Sequence, residues 1–531
     1  MEVDFTSCGP DSCPAMISLL DREYPEPAEG WVDGVYNSRQ AVETALPLQA
    51  SPEGIHMRGN SFVEESNMLD GDPNTIARET YICGSVLHID AFSVEYRVSL
   101  SLKGTQENQE LELLINGMPK VRFALQAEST RAVDFSVEVD CHCIEIAVVP
   151  ARTGSTSSAW AEASILKLAI QKVSKQPAAS PRIFLLGDSI VQTYFESERP
   201  QSGWGEWLYR YLLDGRSAAI EHDDTNDVVQ SRIFAGEGPT IYNKALGARS
   251  FRSYRQEHRL EKVLSLVRPG DVALIQFGAN DVSKTRPMRY IPPEEYHAWL
   301  ERYATALTDR GVKPIFVTST PPYRPHAAES LSSPTDLYAD ITRKFASQEG
   351  IDLIDLRELA DEMLSEAPDE NRAAYYLRCE PFQYASHPDG IQDPVHLSVY
   401  GAQEMARIVA EKLAGIVPWV AFRDGDSNAQ PSAVTELCAL VEREPVGQMV
   451  HLCWRDAGQM VYYSIDKCNA ANGRRYARYL SVKPEFIDWP LPGQSRQVRY
   501  VVRAWIGGHA GPESFISVAM PADDDEVVNL E

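Results

Sequence analysis

The stretch RIFLLGDS, residues 182–189, joins a run of mostly apolar residues to a Gly-Asp-Ser turn. A short apolar run bounded by turn residues is typical of a strand that is buried on both faces. From there to about residue 416, strand-like runs alternate with amphipathic helical segments. This alternation predicts an α/β domain over 182–416, built on a doubly wound parallel sheet. Ligands of such sheets bind beyond the carboxyl ends of the strands, where Ser189 is expected to lie.

The flanking sections have a different pattern. Residues 1–175 contain short alternating runs, such as VEYRVSLSLKG and LELLING, separated by turn residues. That pattern predicts an N-terminal β-sandwich domain, and strand-like runs in 425–531 predict a second, C-terminal β-sandwich domain. The polar, proline-containing stretches at 171–181 and 422–432 are predicted to be linkers. An acidic insert at 214–232 is predicted to be a surface loop.

Composition excludes several classes of partner. The 531 residues carry a formal net charge of −26, which disfavours nucleic acid and anionic membranes, because both require a basic face. No apolar run approaches the ~20 residues that span a bilayer. The acidic start MEVDFTSCGPDSCPAM lacks the features of a secretory signal, so we expect a cytoplasmic location. The sequence predicts no particular oligomeric state.

The nine cysteines are scattered, form no CxxC pair and are predicted to be free, reduced thiols. Cys141, His142 and Cys143 together look like a fragment of a metal site. They lie, however, in FSVEVDCHCIEIAVV, which alternates like one continuous strand. Because neighbours on a strand point to opposite faces, His142 would face away from both cysteines. We therefore predict a structural role and no metal site.

Ser189 could simply cap a helix, since Gly-Asp-Ser is also a favourable turn. As a nucleophile it would need a histidine base and an orienting carboxylate. The run QDPVHL, residues 392–397, supplies Asp393 and His396 three residues apart, just before the last predicted helix. An alternative base, His387, has Asp389 close by but lies in a turn-rich stretch. We favour His396 because it approaches the last helix.

Hydrolysis through a serine also creates an oxyanion that needs hydrogen-bond donors. The second predicted strand ends in NKALGARS, whose backbone can approach closely at Gly247 or Ala248. The third ends in FGAND, where Gly278 permits a tight turn and the Asn280 side chain can donate. Turns and caps alone explain the glycines but not the complete set of chemical groups, so the pattern indicates nucleophilic catalysis.

The order GDS, glycine-bearing turn, GxND and DxxH resembles that of the SGNH (GDSL-type) hydrolases, and is most similar to rhamnogalacturonan acetylesterases. Supporting residues lie at 203–206, 243–254 and 269–281, and the resemblance covers about 182–416. It implies a flavodoxin-like sheet with Ser189 as the nucleophile. His396 would be the general base and then the acid, and Asp393 would orient it.

The resemblance also implies that the oxyanion lies between the Ser189 N–H, a backbone N–H of the Gly247–Ala248 turn and the Asn280 side chain. When the sequence is aligned on Arg249 and Ser250, the donor glycine of the family falls on Ala248. Which of the two N–H groups points inward is left open. The N-terminal section resembles a galactose-binding-type sandwich, for which sugar binding and a scaffold role are both considered.

Residues 240–290 contain ten Lys or Arg and only four Asp or Glu, which predicts a local positive field for an anionic substrate such as a galacturonate-containing pectin. The alternative is that these cations pair with nearby acids or lie on solvated faces. We predict substrate contacts at Asp188, Trp204, Arg249 and Arg252.

The sequence therefore predicts a carbohydrate O-acetyl esterase acting on pectic, rhamnogalacturonan-type oligosaccharides. One alternative is another SGNH ester hydrolase: a xylan acetylesterase, a lipase or a thioesterase. A second is a non-catalytic carbohydrate-binding protein. The predicted site loops are polar and aromatic, which favours sugars over long acyl chains. No metal or organic cofactor is expected, because covalent serine chemistry needs none.

Overall fold

The computed structural model describes residues 2–4, 17–18, 49–51, 54–66, 77–84, 86–105, 109–151, 161–213, 219–223, 230–325, 332–365, 369–381, 383–384, 386–423, 430–444, 447–458, 461–481, 483–488, 497–506 and 509–519.

The strands before residue 175 form two sheets. The first contains β1 (Glu2–Asp4), β3 (Gln49–Ser51), β4 (Gly54–Ser66), β5 (Ala77–Gly84), β7 (Glu95–Gly104), β10 (Thr130–Glu138) and β12 (Ala161–Lys172). The second contains β2 (Ile17–Ser18), β6 (Val86–Asp90), β8 (Gln109–Ile115), β9 (Met118–Leu125) and β11 (Cys143–Pro150). Leu100 and Ile165 of the first sheet share a hydrophobic core with Leu113 and Ile146 of the second. The predicted domain boundaries stay predictions.

The run that contains Cys141, His142 and Cys143 is not one strand, and that prediction was wrong. It divides into β10 and β11, which belong to different sheets, and the chain crosses between them at residues 139–142. The crossing residue Asp140 is buried against two arginines of the central section. The two sulfur atoms lie 3.6 Å apart, whereas His142 Nε2 lies 3.5 Å from Asp309 Oδ2.

The central sheet has seven strands in the order β15-β16-β17-β13-β18-β19-β20. Its members are β13 (Arg182–Gly187), β15 (Ala219–His222), β16 (Arg232–Ala235), β17 (Thr240–Asn243), β18 (Val272–Gln276), β19 (Lys313–Val317) and β20 (Asp352–Ile354). The five strands from β17 to β20 are parallel, in the flavodoxin-like order, which confirms the predicted sheet. The acidic insert is not all loop, because β15 pairs antiparallel with β16 and extends the sheet.

The helices are α1 (Leu208–Leu212), α2 (Phe251–Gln256), α3 (Arg259–Leu266), α4 (Pro293–Thr308), α5 (Pro334–Glu349), α6 (Leu356–Ser365), α7 (Asp369–Ala374) and α8 (Val399–Ile416). Alternate residues of β13 enter different cores. Ile183 and Leu185 pack with α1, α6 and α8, whereas Phe184 and Leu186 pack with α2, α3, α4 and α5. The sheet is therefore covered on both faces, as its continuous apolar strands require. Among the described residues, no helix is long and apolar enough to cross a membrane.

A small antiparallel sheet lies against the central section. It contains β14 (Gln201–Ser202), β21 (Tyr376–Cys379) and β22 (Ile391–Ser398), with β22 in the middle. Both Asp393 and His396 lie on β22. The pairing of β22 with β14 and β21, which come from distant parts of the chain, therefore positions these two side chains.

The last section also has two sheets. One contains β23 (Cys438–Glu444), β24 (Gly447–Cys453) and β27 (Glu485–Asp488); the other contains β25 (Val461–Asn469), β26 (Arg475–Ser481), β28 (Gln497–Ile506), β29 (His509–Ala510) and β30 (Ser514–Ala519). Val450 and Tyr500 share a core between the sheets. Cys438 and Cys453 face each other across β23 and β24 and form a disulfide, so the prediction of free thiols was wrong for this pair.

Candidate active site

Ser189 lies just beyond the carboxyl end of β13, at the ligand-binding edge of the parallel sheet. The backbone can lie this close to its neighbours because residue 187 is glycine. A Cβ on Gly187 would lie 2.6 Å from Val191 Cγ2 and 2.8 Å from the Gln276 carbonyl oxygen. The Tyr194 hydroxyl donates a hydrogen bond to the Ser189 carbonyl at 2.9 Å. Close packing and this hydrogen bond therefore position the serine.

The structure brings Ser189, His396 and Asp393 together in one hydrogen-bonded chain. His396 Nε2 lies 3.0 Å from Ser189 Oγ, and His396 Nδ1 lies 2.7 Å from Asp393 Oδ2. Asp393 Oδ1 also accepts from the Val395 and His396 backbone N–H groups at 2.7 and 3.0 Å. The alternative base, His387, instead has Nδ1 at 2.8 Å from Ser386 Oγ.

The electrostatics of this chain favour an ionised carboxylate. Burial raises the pKa of Asp393, but the hydrogen bonds from the His396 ring and backbone outweigh burial and bring the pKa to about 2. A carboxylate at Nδ1 favours the histidine tautomer with its proton on that nitrogen. Nε2 is then the acceptor that faces the serine hydroxyl, which is the arrangement needed to remove its proton.

Two backbone N–H groups lie in the turn after β17. The Gly247 N–H donates to Gln192 Oε1 at 2.5 Å and is therefore already occupied. Ala248 adopts a left-handed conformation with φ 66°, and within the described part of the chain its N–H has no acceptor. The turn packs closely on the serine, since a Cβ on Gly247 would lie 3.4 Å from Ser189 Cβ.

The turn after β18 brings a third donor to the site. Asn280 Nδ2 donates to the Arg249 carbonyl at 3.2 Å and lies 3.4 Å from Asp188 Oδ2. Asp188 in turn accepts from the Ile190 N–H at 3.0 Å. The Asn280 amide is thus tied both to the residue before Ser189 and to the turn after β17.

Asp281 was only a motif residue in the sequence, but it joins two elements of the site. Its carboxylate accepts from the Phe251 N–H at the start of α2 and from the Gly278 N–H, at 3.1 and 2.9 Å. Burial raises the pKa of Asp281 to about 7 and that of Asp188 to about 6. Gln192 is a further site residue that sequence reasoning missed, because it belongs to no recognisable motif. Tyr194 was predicted only as one of the aromatic residues of the site loops, and the structure places its hydroxyl on the Ser189 carbonyl.

The predicted substrate contacts need correction. Trp204 is only 1% exposed and donates its indole N–H to Gln276 Oε1 at 2.8 Å, so it is a core residue. Asp188 is equally buried. Its carboxylate accepts from the Ile190 backbone N–H and lies beside the Asn280 amide, so it does not face the cleft. Each has a polar partner inside the protein, which explains why it is buried.

Several cations of the predicted positive field are paired with acids. Arg249 Nε lies 3.0 Å from Glu257 Oε1, and Arg252 Nη2 lies 3.1 Å from Glu295 Oε2. Two more of the cations form buried ion pairs: Lys244 with Asp223 and Arg255 with Asp140. The interpretation that these cations pair with nearby acids is therefore the better one.

Comparison with known proteins places this site in a family. A family model described as GDSL-like lipase/acylhydrolase matches residues 183–409. A Bacillus subtilis (strain 168) protein named probable rhamnogalacturonan acetylesterase YesY is 31% identical over 230 residues, which are 43% of this chain and 90% of the relative. The chain belongs to the GDSL-like lipase/acylhydrolase family. It is accordingly an ester hydrolase of the GDSL type, and the central sheet, β22 and most of α8 lie within the matched residues.

Two further proteins are similar to this chain. The rhamnogalacturonan acetylesterase RhgT of Bacillus subtilis (strain 168) is 28% identical over 230 residues, 43% of this chain and 88% of that relative. A crystal structure of Axe2, an acetylxylan esterase from Geobacillus stearothermophilus, covers 46% of this chain and 99% of its own, at 17% identity and a TM-score of 0.32.

Proposed function

We propose that this protein is a carbohydrate O-acetyl esterase that uses Ser189, His396 and Asp393 as a catalytic triad. The observation that carries the proposal is the unbroken chain of hydrogen bonds from Asp393 through His396 to Ser189, with distances of 2.7 and 3.0 Å. Nucleophile, base and orienting carboxylate stand in the order that serine hydrolysis requires.

In the first half-reaction, Ser189 Oγ attacks the acetyl carbonyl carbon while His396 Nε2 takes the hydroxyl proton. The tetrahedral intermediate collapses as His396 returns that proton to the leaving sugar oxygen, which leaves an acetyl ester on Ser189. In the second half-reaction, His396 removes a proton from water, and the resulting attack on the acetyl ester releases acetate and restores the serine hydroxyl. Asp393 stays ionised and holds the imidazole throughout.

The oxyanion of both intermediates would accept hydrogen bonds from three donors: the Ser189 N–H, the Ala248 N–H and Asn280 Nδ2. Ala248 is preferred to Gly247 because Gln192 already occupies the Gly247 N–H. The departure from glycine at residue 248 does not remove the donor, since alanine also has a backbone N–H. Such preorganised donors stabilise charge that develops only in the transition state.

The proposed substrates are acetylated pectic oligosaccharides of the rhamnogalacturonan type. Support comes from the names of the relatives YesY and RhgT, which match this chain over 90% and 88% of their own lengths. No cofactor enters the proposed mechanism, because the serine, the histidine and water supply every atom and proton that it needs.

The deciding experiment is acetate release by the wild type and by Ser189→Ala. The substrates are acetylated rhamnogalacturonan oligosaccharides, acetylated xylan and a long-chain ester. We expect preference for the pectic substrate and a loss of about 10⁴-fold or more in the variant, because removing the nucleophile removes the triad's contribution. Ser265→Ala, which changes an exposed serine on α3, is the matched control.

Preference for xylan or for the long-chain ester would keep the serine mechanism and overturn the pectic substrate. Unchanged turnover in Ser189→Ala would overturn the mechanism. Sugar binding without hydrolysis of any of the three esters would favour a non-catalytic carbohydrate-binding protein.

A further inference from the structure

Arg249 lies in the turn between β17 and α2, and its guanidinium binds the backbone of that turn. Nη1 donates to the Gly247 carbonyl at 2.9 Å. Nε lies 3.0 and 3.1 Å from the two carboxylate oxygens of Glu257, the residue that follows α2. The ion pair therefore holds the guanidinium in one place, from which it fixes the direction of the Gly247 carbonyl.

That carbonyl belongs to the same peptide unit as the Ala248 N–H, which is one of the proposed oxyanion donors. In a planar trans peptide, the C=O and N–H groups point to opposite sides. A guanidinium bound to the Gly247 carbonyl therefore lies on the side of the turn away from the oxyanion and fixes the direction of the Ala248 N–H. The same contact polarises the peptide and makes this N–H a stronger donor, because linked hydrogen bonds strengthen one another.

The preceding peptide unit is fixed by a second side chain. Gln192 is only 6% exposed, and its Oε1 accepts the Gly247 N–H at 2.5 Å. Both backbone polar groups of Gly247 are thus bound, one by Gln192 and the other by Arg249. Neither peptide unit can rotate without breaking a hydrogen bond inside the protein, so the turn presents the Ala248 N–H in one orientation.

The backbone of Arg249 also contacts the side-chain donor of the proposed oxyanion site. Its carbonyl accepts from Asn280 Nδ2 at 3.2 Å, and the same amide nitrogen lies 3.4 Å from Asp188 Oδ2. Arg249 is therefore bound to both proposed donors that lie outside Ser189. Its guanidinium holds the peptide unit of Ala248, and its carbonyl holds the amide of Asn280.

We propose that Arg249 is a positioning residue of the oxyanion site, whose guanidinium orients and polarises the peptide between Gly247 and Ala248. The proposal rests on the proposed function and adds a residue to its mechanism. It also replaces the role that the sequence predicted for Arg249, because the side chain expected to bind substrate is bound to Glu257 and to the turn. Preorganised donors act mainly on the transition state, so losing the guanidinium should affect turnover more than binding of the ester.

The test is steady-state hydrolysis of 4-nitrophenyl acetate by the full chain carrying Arg249→Met, which keeps an unbranched apolar stem and removes every donor. We expect kcat to fall about 10-fold or more with KM within about two-fold, which is part of the loss expected for a whole donor. Arg249→Lys keeps one charged donor and should recover part of that loss. Arg343→Gln on α5 is the matched control, because within the described residues its guanidinium binds only the carboxylates of Asp340 and Asp355. Its kcat should equal that of the wild type.

Inhibition by trifluoroacetone reports on the oxyanion site itself. Attack of Ser189 Oγ on the ketone carbon, with transfer of the hydroxyl proton to His396, gives a tetrahedral oxyanion that has no leaving group. Arg249→Met should weaken this inhibition by about the factor by which it lowers kcat/KM, since both depend on the same donors. A variant that is only partly folded would lose active sites, but the remaining sites would keep their affinity for the inhibitor.

Equal kcat values for Arg249→Met and Arg343→Gln would overturn the positioning role. So would a fall in kcat with unchanged inhibition by trifluoroacetone, or a loss in Arg249→Lys as large as that in Arg249→Met. Ser189→Ala separates the two proposals. Wild-type turnover in Ser189→Ala would overturn the triad, whereas an inactive Ser189→Ala beside a fully active Arg249→Met would overturn the positioning role alone.

Discussion

Adjacent residues of the turn after β18 have different environments and different expected roles. Asn280 is half-buried with its amide beside Asp188, whereas Asp281 is completely buried and accepts two backbone N–H groups. The first side chain can therefore donate to a bound intermediate once one of its N–H groups leaves Asp188 or the Arg249 carbonyl. The second can only hold the turn and the start of α2 in place. The amide of Asn280 suggested a donor from the sequence alone. The difference in burial is what separates its role from that of Asp281.

Asn280→Ala should lower kcat roughly 100- to 1000-fold with little change in KM, because the donor acts mainly on the charge of the transition state. The measurement is steady-state hydrolysis of 4-nitrophenyl acetate, with the melting temperature as a check on folding. Asn472→Ala, in an exposed turn, is the control. A loss of only a few-fold would show that Asn280 is not an oxyanion donor.

Asp281 predicts a pH dependence of stability. Burial raises its pKa from 3.8 to about 7, so the folded protein holds this proton more tightly than the unfolded chain. Its stabilising contribution is complete below the unfolded pKa and is lost as pH rises through about 7. From about pH 8 to about pH 5, the wild type should gain about 2 kcal/mol of unfolding free energy relative to Asp281→Asn. Denaturant titrations of both proteins check this, and parallel pH profiles would contradict it.

At the scale of elements, the turn between β17 and α2 determines which backbone N–H faces the serine. Gln192 accepts the Gly247 N–H, and the chain then passes through a left-handed conformation at Ala248, with φ 66°. For a residue with a Cβ this conformation costs about 1–2 kcal/mol. The Ser250 side chain accepts from the Ser253 N–H and caps α2, so the strained turn ends in a regular helix.

Ala248→Gly should therefore raise stability by about 1 kcal/mol, since glycine adopts this backbone conformation without strain, and should leave turnover within about two-fold. Thermal unfolding together with ester hydrolysis measures both effects. Ala414→Gly, inside α8, is the opposite control, because glycine within a helix costs about 1 kcal/mol. A destabilised Ala248→Gly variant would indicate that the alanine methyl group makes packing contacts that outweigh the strain.

Some of the strands could be predicted from the sequence, and others could not. The runs around β13, β18 and β19 are short, apolar and bounded by turns, so their length and the flanking turn residues were enough to place them. Periodicity failed at β10 and β11, which read as one strand. Alternation persists across residues 139–142, but the chain changes sheets there to bury Asp140, and no local pattern encodes that crossing.

At the scale of the whole molecule, charged pairs connect the first section to the central one. Asp140 pairs with Arg255 of α2 and Arg302 of α4, and Glu138 pairs with Arg310 at 2.8 Å. Because α2 begins directly after the turn that holds Ala248, these pairs brace the helix behind the proposed oxyanion donors. The last section also contacts the centre, where Arg210 Nη1 donates to the Val461 carbonyl at 2.9 Å.

Asp140→Asn should reduce the free energy of unfolding by about 3 kcal/mol, because it leaves two buried guanidinium groups without their carboxylate. Asp134→Asn, on the exposed face of β10, should change the melting temperature little. Calorimetry on the full chain gives both values. Equal melting temperatures for the two variants would mean that the first section does not stabilise the centre through this pair.

The sequence by itself determined the parallel sheet and the segments that bear Ser189, Asn280, Asp393 and His396, because both depend on local periodicity and on turn residues at short range. Only the tertiary structure decided which of the predicted charged side chains are paired with acids. Arg255 meets a carboxylate 115 positions away, Lys244 meets Asp223, and Trp204 is enclosed in the core. Ion pairing and burial depend on distance in space, which the linear order of residues does not contain. For that reason several cations that the sequence offered as an anion site proved to be paired with acids.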